Sequence, residues 1–244
     1  MSKQATHNIK IMPWITAVLL VSGIAVIAAL YWNQNMTIQQ VKVNELYFTD
    51  ESQVQQVADN ALGMKPDSLD LSALANDVEQ LDYVKTVIPY IEPNGNLTLT
   101  ITEREPLALL IEGSNRVYID EDGVRLPVLE DKSDNVPLLY GYSAIISKDT
   151  LRDDSFLQVR DFLLDAKRNG FGWVTISEIA FDELEGVVAL SQENGVKLLF
   201  GRNDFAAKLE NWEAFYAQVI RTKGIQAVQQ VDLRFSNQVV THEI

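Results

Sequence analysis

The N-terminal part of the chain contains an uncharged apolar run, which constrains the fold more than any other feature. From Ile11 to Trp32 there are 22 residues without one charged side chain. As an α-helix rising about 1.5 Å per residue, this run would extend roughly 33 Å, which matches the hydrocarbon core of a bilayer. Trp14 lies near one end and Tyr31 near the other, as expected of aromatic residues at the two membrane interfaces. The run predicts a transmembrane helix over residues 11–32.

The charges that flank this run predict its orientation. Lys3 and Lys10 precede it without an acidic residue, and the first acidic residue after it is Glu45. Because positive charge is retained on the cytoplasmic side, residues 1–10 are predicted to form a short cytoplasmic tail, with the bulk of the chain outside. A cleaved signal peptide is the alternative, but the apolar run is longer than a usual signal core.

The composition excludes several classes of function. The chain has 34 acidic against 20 basic residues, a net charge of −14, which disfavours a nucleic-acid partner. Cysteine is absent, so disulfides, thiolate metal sites and cysteine nucleophiles are excluded. The two histidines, His7 and His242, lie near opposite ends of the chain and offer neither a histidine-rich metal site nor a Ser-His-Asp triad. We therefore predict no catalytic residue, metal or cofactor.

Residues 37–105 show the pattern of one small domain with the order β-α-α-β-β. A strand is predicted over Thr37–Asn44, followed by two amphipathic helices, the second capped by Asp70. An apolar run at Val84–Ile91 and the alternating segment Leu97–Thr102 then predict a hairpin.

Residues 106–244 change to short strands interrupted by helices. Helical periodicity covers Asp154–Arg168 and returns from near Asn203, with three strand-like runs between these helices. The chain closes with predicted strands at Val228–Phe235 and Gln238–Thr241. Overall the sequence predicts an α+β protein: a single N-terminal transmembrane helix, the β-α-α-β-β domain, and a mixed β domain with two helices.

Short motifs accompany these elements in a fixed order. They are Tyr83-Val84 with Pro93, Glu103-Arg104-Glu105-Pro106, Tyr118-Ile119-Asp120 with Gly123-Val124, Pro137-Leu138-Leu139-Tyr140-Gly141, Phe200-Gly201-Arg202, Lys208-Leu209, and Val231-Asp232-Leu233-Arg234-Phe235. In this order, and at this distance from one N-terminal anchor, they resemble the FtsQ/DivIB family of bacterial cell division proteins.

The resemblance implies a non-enzymatic scaffold of the divisome. It implies a single-pass, type II protein of the cytoplasmic (inner) membrane at the division septum, with its bulk in the periplasm or outside the cell. Residues 37–105 would form a POTRA domain associated with septal recruitment and with other divisome components. Residues 106–244 would form a β domain whose last strands bind two small single-pass partners of the FtsB and FtsL type.

The segment at the end of the chain also suggests a binding edge on physical grounds. Gln238, Val239, Val240 and Thr241 form a short, uncharged, partly β-branched segment. An unpaired edge strand exposes N–H and C=O groups that can bind another strand, so such a segment is either covered or used. An ordinary edge strand blunted by Glu243 is the alternative. The resemblance favours a partner contact at this edge.

Two residues before this segment are further candidates for partner binding. Arg234 would form a salt bridge with an acidic partner residue, or else be an exposed arginine of the preceding strand, worth under about 1 kcal/mol in a surface pair. Phe235 would anchor a partner or complete the core.

Two other classes of protein are alternatives to the scaffold. A POTRA-type outer-membrane assembly factor needs a C-terminal barrel of many alternating strands, which the helices after Pro106 argue against. A membrane-tethered cell-wall hydrolase needs a pair of acidic residues with perturbed pKa, and nothing in the sequence singles out such a pair. The acidic run Asp120–Gly123 lacks the remaining ligands of a calcium loop, so a solvated turn is favoured.

Overall fold

The computed structural model describes residues 13–146, 150–235 and 238–243. The chain divides between Thr102 and Glu103 into two compact units, termed the N-terminal unit and the C-terminal unit. Both α-helices and β-strands occur in each unit, so the protein is of the mixed α+β class.

The first element is helix α1, Pro13–Asn35. Its described large apolar side chains are exposed, among them Trp14, Leu19 and Ile27. Over the residues that the structure describes, no helix is both long enough and apolar enough to cross a membrane. The predicted tail of residues 1–10, with Ile11 and Met12 of the predicted span, lies outside the described residues.

The rest of the N-terminal unit packs two helices on a three-stranded sheet. Its strands lie in the order β1-β3-β2, and β1 runs parallel to β3. The elements are β1 Val41–Val43, α2 Glu51–Ala58, 3₁₀ turns at Asp59–Ala61 and Pro66–Ser68, α3 Leu71–Val78, β2 Val84–Ile91 and β3 Leu97–Glu103.

Apolar and polar side chains alternate along β3, and this alternation explains the core of the N-terminal unit. Leu97, Leu99 and Ile101 are buried, while Thr100 between them is exposed. The buried residues pack against Val54 of α2 and against α3. The predicted cap of α3 is confirmed, because Oδ1 of Asp70 accepts hydrogen bonds from the N–H groups of residues 72 and 73 at 3.0 and 2.9 Å.

The C-terminal unit is built on a nine-stranded sheet with the strand order β12-β11-β10-β9-β8-β7-β4-β5-β6. Its strands are β4 Ala108–Glu112, β5 Asn115–Ile119, β6 Arg125–Pro127, β7 Leu138–Tyr140, β8 Ile176–Asp182, β9 Gly186–Ser191, β10 Lys197–Gly201, β11 Val228–Asp232 and β12 Val240–Glu243. The last strand in the chain therefore lies at one edge of the sheet, and β6 lies at the other.

Helices between the strands cover the core of this sheet. They are α4 Asp154–Asn169, α5 Phe171–Thr175, α6 Phe205–Phe215 with a π-helical turn at Tyr216–Ile220, and α7 Arg221–Lys223. Phe162 of α4 and Trp212 of α6 are fully buried in one cluster with Leu198 and Val231 of the sheet. Trp212 also donates a hydrogen bond from Nε1 to Oγ1 of Thr175 at 3.0 Å, so burial leaves its polar atom satisfied.

The structure corrects several predicted boundaries. The first strand covers only Val41–Val43 instead of Thr37–Asn44. The first of the three strand-like runs after α4, predicted over Val174–Phe181, begins at Ile176, because Phe171–Thr175 forms an additional short helix. Oδ1 of Asn169 accepts the N–H of Gly172 at 2.7 Å, which starts this new turn directly after α4. The β domain consequently has more helices than the two predicted.

Removing a buried side chain of β3 should destabilise the N-terminal unit selectively. Leu99 is fully buried, so Leu99→Ala should cost about 2–5 kcal/mol through lost burial and a cavity. Hydrogen-exchange mass spectrometry of the full chain should show lower protection in β2 and β3 and no change in the C-terminal unit. Thr100→Ala, on the exposed side of the same strand, is the control and should leave protection unchanged. Equal protection in the two variants would contradict this packing.

A second prediction concerns the ion pair between Lys42 and Glu92. Nζ of Lys42 lies 2.8 Å from Oε2 of Glu92, and this hydrogen bond is the first cause that lowers the pKa of Glu92 to about 2. A lowered pKa means that ionised Glu92 stabilises the fold above about pH 4.5 and that this contribution is lost as the pH falls towards about 2. Lys42→Met should raise the pKa of Glu92, measured by carboxyl ¹³C NMR, whereas Lys65→Met should not.

Candidate functional site

Strand β12 forms one edge of the nine-stranded sheet. It pairs antiparallel with β11, with Val240 opposite Asp232 and Thr241 opposite Val231. Within the described residues no strand pairs with its other side. Every second backbone N–H and C=O of an antiparallel edge strand points away from its neighbour, so β12 has groups available to a further strand.

The side chains of β12 leave this edge accessible. Val240 is 38% exposed, and Thr241 is half-buried. Val239, just before the strand, is half-buried and packs against the core of the unit. At the far end Glu243 accepts a hydrogen bond from Nζ of Lys223 at 2.8 Å, which ties the strand to α7. The edge therefore has one apolar, exposed side chain and is held at its C-terminal end.

The strand lies two residues later than predicted. The prediction was Gln238–Thr241, whereas the structure has Val240–Glu243, so Gln238 and Val239 precede the strand. Pairing starts where Val240 meets Asp232, because β11 itself ends at Asp232 instead of Phe235. Of the four residues predicted for this edge, Val240 and Thr241 are in it.

The early end of β11 has a local cause in the side chain of Asp232. Its Oδ1 accepts the backbone N–H of Arg234 at 3.0 Å. This bond turns the backbone away from the strand and replaces a ladder hydrogen bond. Arg234 and Phe235 consequently lie beyond β11 and are exposed. Ser236 and Asn237, which separate the two predicted strands, lie outside the described residues.

The same aspartate holds the guanidinium of Arg234. Nε of Arg234 donates to Oδ1 of Asp232 at 2.9 Å, and Nη2 donates to Oδ2 at 2.6 Å. Burial alone would raise the pKa of Asp232, but the hydrogen bonds from Arg234 outweigh it and the pKa lies below its ordinary value. The Asp232 bond raises the pKa of Arg234 in turn. Arg234, predicted to pair with a partner carboxylate, therefore already pairs within the chain.

A buried lysine that was predicted only as part of a motif, and not as a site residue, completes this charged cluster. Lys208 of α6 is only 7% exposed, and its Nζ donates to the backbone oxygen of Asn203 at 2.5 Å. Burial lowers the pKa of Lys208, while the nearby charges of Asp204 and Asp232 oppose this shift. The sequence contained one signal for the burial of Lys208. This residue lies on the same apolar stripe of the helix as Phe205, Leu209 and Trp212, where a charged side chain is unusual.

A glycine allows the cluster to close. Gly201 ends β10 with a φ of 77°, a conformation that favours glycine. A Cβ at this position would lie 3.2 Å from Cγ of Arg234 and 3.5 Å from Nζ of Lys208. Two neighbouring motif segments, around Gly201 and Lys208, thus meet the more distant segment around Asp232 where the chain leaves β11 for β12. The geometry of this cluster fixes the turn that ends β11 and leads the chain towards the edge strand β12.

Comparisons with known proteins identify related sequences. Residues 105–242 match the family model described as "FtsQ/DivIB, C-terminal related". A "Cell division protein FtsQ" from Rhodothermus marinus is 26% identical over 235 residues, which cover 92% of this chain and 86% of that protein. The protein with the same description from Salinibacter ruber is 25% identical, over 91% of this chain and 90% of its own length.

A solved structure is also similar over part of the chain. It is the major extracytoplasmic domain of the bacterial cell division protein DivIB from Geobacillus stearothermophilus, with a TM-score of 0.33 and 19% identity over 49% of this chain and 97% of that domain. The family model by itself covers more than half of the chain. The chain therefore belongs to the FtsQ/DivIB family of cell division proteins.

Proposed function

We propose that this protein is a non-enzymatic scaffold of the divisome that binds FtsB- and FtsL-type partners by adding a partner strand to β12. The observation that carries the proposal is the edge position of β12 in the described sheet. Main-chain hydrogen bonds from an added strand supply affinity, and exposed side chains along the edge supply specificity. Membership of the FtsQ/DivIB family supports a role in division.

Arg234 and Phe235 extend this proposed contact beyond the strand. Phe235 is 46% exposed directly after the Arg234 turn, so its ring is accessible to a partner. Aromatic and arginine side chains are the residue types that most often dominate binding energy at interfaces. Nη1 of Arg234 hydrogen-bonds to no described residue, which leaves one donor nitrogen for a partner carboxylate. Gln238 and Val239 would flank the added strand.

Anchoring in the cytoplasmic membrane is part of the proposal. The uncharged run from Ile11 to Trp32 and the exposed apolar side chains of α1 support it. Lys3 and Lys10 before the run support a cytoplasmic N-terminus, with the two units in the periplasm or outside the cell, at the septum. In this arrangement the β12 edge faces the compartment that contains the ectodomains of single-pass partners.

We assign residues 37–105 to a POTRA domain and residues 106–244 to the partner-binding β domain. The β-α-α-β-β order of the N-terminal unit supports the first assignment. The POTRA domain would bind other divisome components and direct the protein to the septum. The family match at residues 105–242 supports the second assignment.

Proline substitutions in β12 test the added strand. Successive N–H groups of an edge strand alternate in direction, so one of Val240 and Thr241 donates outward and the other donates to β11. Val240→Pro and Thr241→Pro are compared. The variant in which proline replaces the residue with the outward N–H should abolish capture of FtsB and FtsL ectodomains from the same organism, because proline has no N–H to donate to a partner strand. The same variant should keep hydrogen-exchange protection in β11. Ser133→Pro, in an exposed loop, is the control. Full capture by both β12 variants would contradict the proposal.

A double-mutant comparison tests whether Arg234 contacts the partner directly. Arg234→Met should weaken partner binding about tenfold, the loss of one charged hydrogen bond. The same loss should appear in an Asp232→Asn background if Nη1 binds the partner, because that contact does not pass through Asp232. Binding constants from biolayer interferometry measure both. No loss in the Asp232→Asn background would show that Arg234 acts only by holding the turn.

A further inference from the structure

A pocket of about 650 Å³ lies in the C-terminal unit, and the proposed partner contact does not use it. It is lined by residues of the turn between β5 and β6, the segment that precedes α4, and the first two turns of α4. Strand β6 forms the sheet edge opposite to β12. The pocket therefore belongs to a different part of the unit from the Asp232 cluster.

Three arginines line this pocket together with one acidic residue. They are Arg104, Arg152 and Arg160, and the acidic residue is Asp122. The chain as a whole has 34 acidic against 20 basic residues. An excess of basic over acidic residues in the lining of one pocket is therefore opposite to the net negative charge of the chain. Arg152 is exposed and forms no ion pair with any residue that the structure describes. Its guanidinium is available to a ligand.

The other two arginines are held in place by carboxylates. Nη1 of Arg104 lies 2.6 Å from Oδ2 of Asp120, which is only 2% exposed, and 3.4 Å from Oδ2 of Asp122. Arg160 donates from Nε and Nη2 to Oδ1 of Asp161 at 3.1 and 2.8 Å. In each case part of the guanidinium is used to fix its direction, and at least one nitrogen makes no bond to a carboxylate of the described residues.

The turn between β5 and β6 positions one wall. Oδ1 of Asp120 accepts the N–H groups of Asp122 and Val124 at 3.0 and 2.8 Å, which closes the turn. The carbonyl of Gly123 then accepts the N–H of Leu151 at 2.9 Å. A Cβ at Gly123 would overlap the carbonyl oxygen of Leu151, so only glycine allows this approach. The turn thereby fixes the segment that contains Arg152.

The start of α4 forms the second wall and an apolar floor. Oδ1 of Asp153 caps the helix by accepting the N–H of Phe156 at 2.9 Å. Phe156 is fully buried and offers no surface to a ligand, so the accessible apolar lining is that of the half-buried Val124, Leu151 and Leu157. The pocket thus combines an apolar floor with guanidinium groups at its rim, the combination expected of a small-ligand site.

We infer that this pocket binds a small anionic ligand in which a carboxylate or phosphate group is attached to an apolar body. Guanidinium groups bind both oxyanions through paired, charge-assisted hydrogen bonds, which explains the choice of arginine over lysine. The apolar floor would accommodate the body of the ligand, and the volume lies within the usual range for such sites. The inference is independent of the proposed partner contact at β12.

Titration of the full chain in nonionic detergent tests this inference. The probes are phenyl phosphate and 3-phenylpropionate, and neutral 3-phenylpropanol and inorganic phosphate serve for comparison. Binding is measured by calorimetry at constant ionic strength. At least one aromatic anion should bind saturably and at least about tenfold more tightly than the neutral alcohol, since charge-assisted hydrogen bonds are the stronger kind. Which anion binds more tightly distinguishes a phosphate site from a carboxylate site.

Charge-reversal variants locate the binding. Arg152→Glu and Arg160→Glu should each weaken the preferred anion at least about tenfold, because each replaces a donor with a repelling carboxylate. Arg168→Glu, at an exposed position in the last turn of α4, is the matched control and should change affinity less than about twofold. Arg104 is left intact, because its loss would leave Asp120 buried without its cation.

Hydrogen-exchange protection of β5, β6 and α4 verifies that each variant is folded. If Arg152→Glu is not folded, the result for Arg160→Glu decides the test. Absence of saturable binding by both aromatic anions would overturn the inference. Equal affinity for the neutral alcohol, or equal loss in Arg168→Glu, would overturn it as well.

Discussion

The parallel pairing of β10 with β11 is the constraint on which the C-terminal edge depends. Parallel strands cannot be joined by a tight hairpin, so the chain must cross over the sheet between them. Helix α6, the π-helical turn and α7 make that crossover and bury Trp212 against the strands. The crossover leaves β11 with one side unpaired, and β12 returns antiparallel to cover it. The last strand is consequently the edge of the sheet.

The charged cluster around Asp232 controls how the chain makes this return. A buried carboxylate is costly unless cations and hydrogen bonds compensate it, and here Arg234 and the nearby charge of Lys208 do so. The same hydrogen bonds end β11 and start the turn to β12. Protonation of Asp232 would weaken these hydrogen bonds. Because the pKa of Asp232 is lowered in the folded chain, ionised Asp232 stabilises the turn at pH values above the ordinary pKa of an aspartate, and this contribution is lost as the pH falls through the lowered pKa.

Elements governed by a regular pattern or a cap could be predicted from the sequence, and those governed by one competing side chain or by a distant contact could not. Strand β2 occupies Val84–Ile91 as predicted, and Asp70 caps α3, because alternation and capping depend on neighbouring residues. The end of β11 depended on the side chain of Asp232 competing with the ladder, which the apolar pattern through Phe235 concealed. The role of Lys208 depended on Asn203 and Asp232 meeting it in space.

The edges of the sheets differ in a way that favours one site for an added strand. Strand β6 is three residues long and ends in Pro127, which has no N–H to donate. Strand β2, an edge of the smaller sheet, contains Pro89. Charges, proline and short length are the usual protections of an edge against unwanted pairing. Strand β12 contains neither proline nor lysine, and its acidic residue, Glu243, lies at its C-terminal end, so the physical protections are weakest at Val240 and Thr241, where the proposed partner strand would bind.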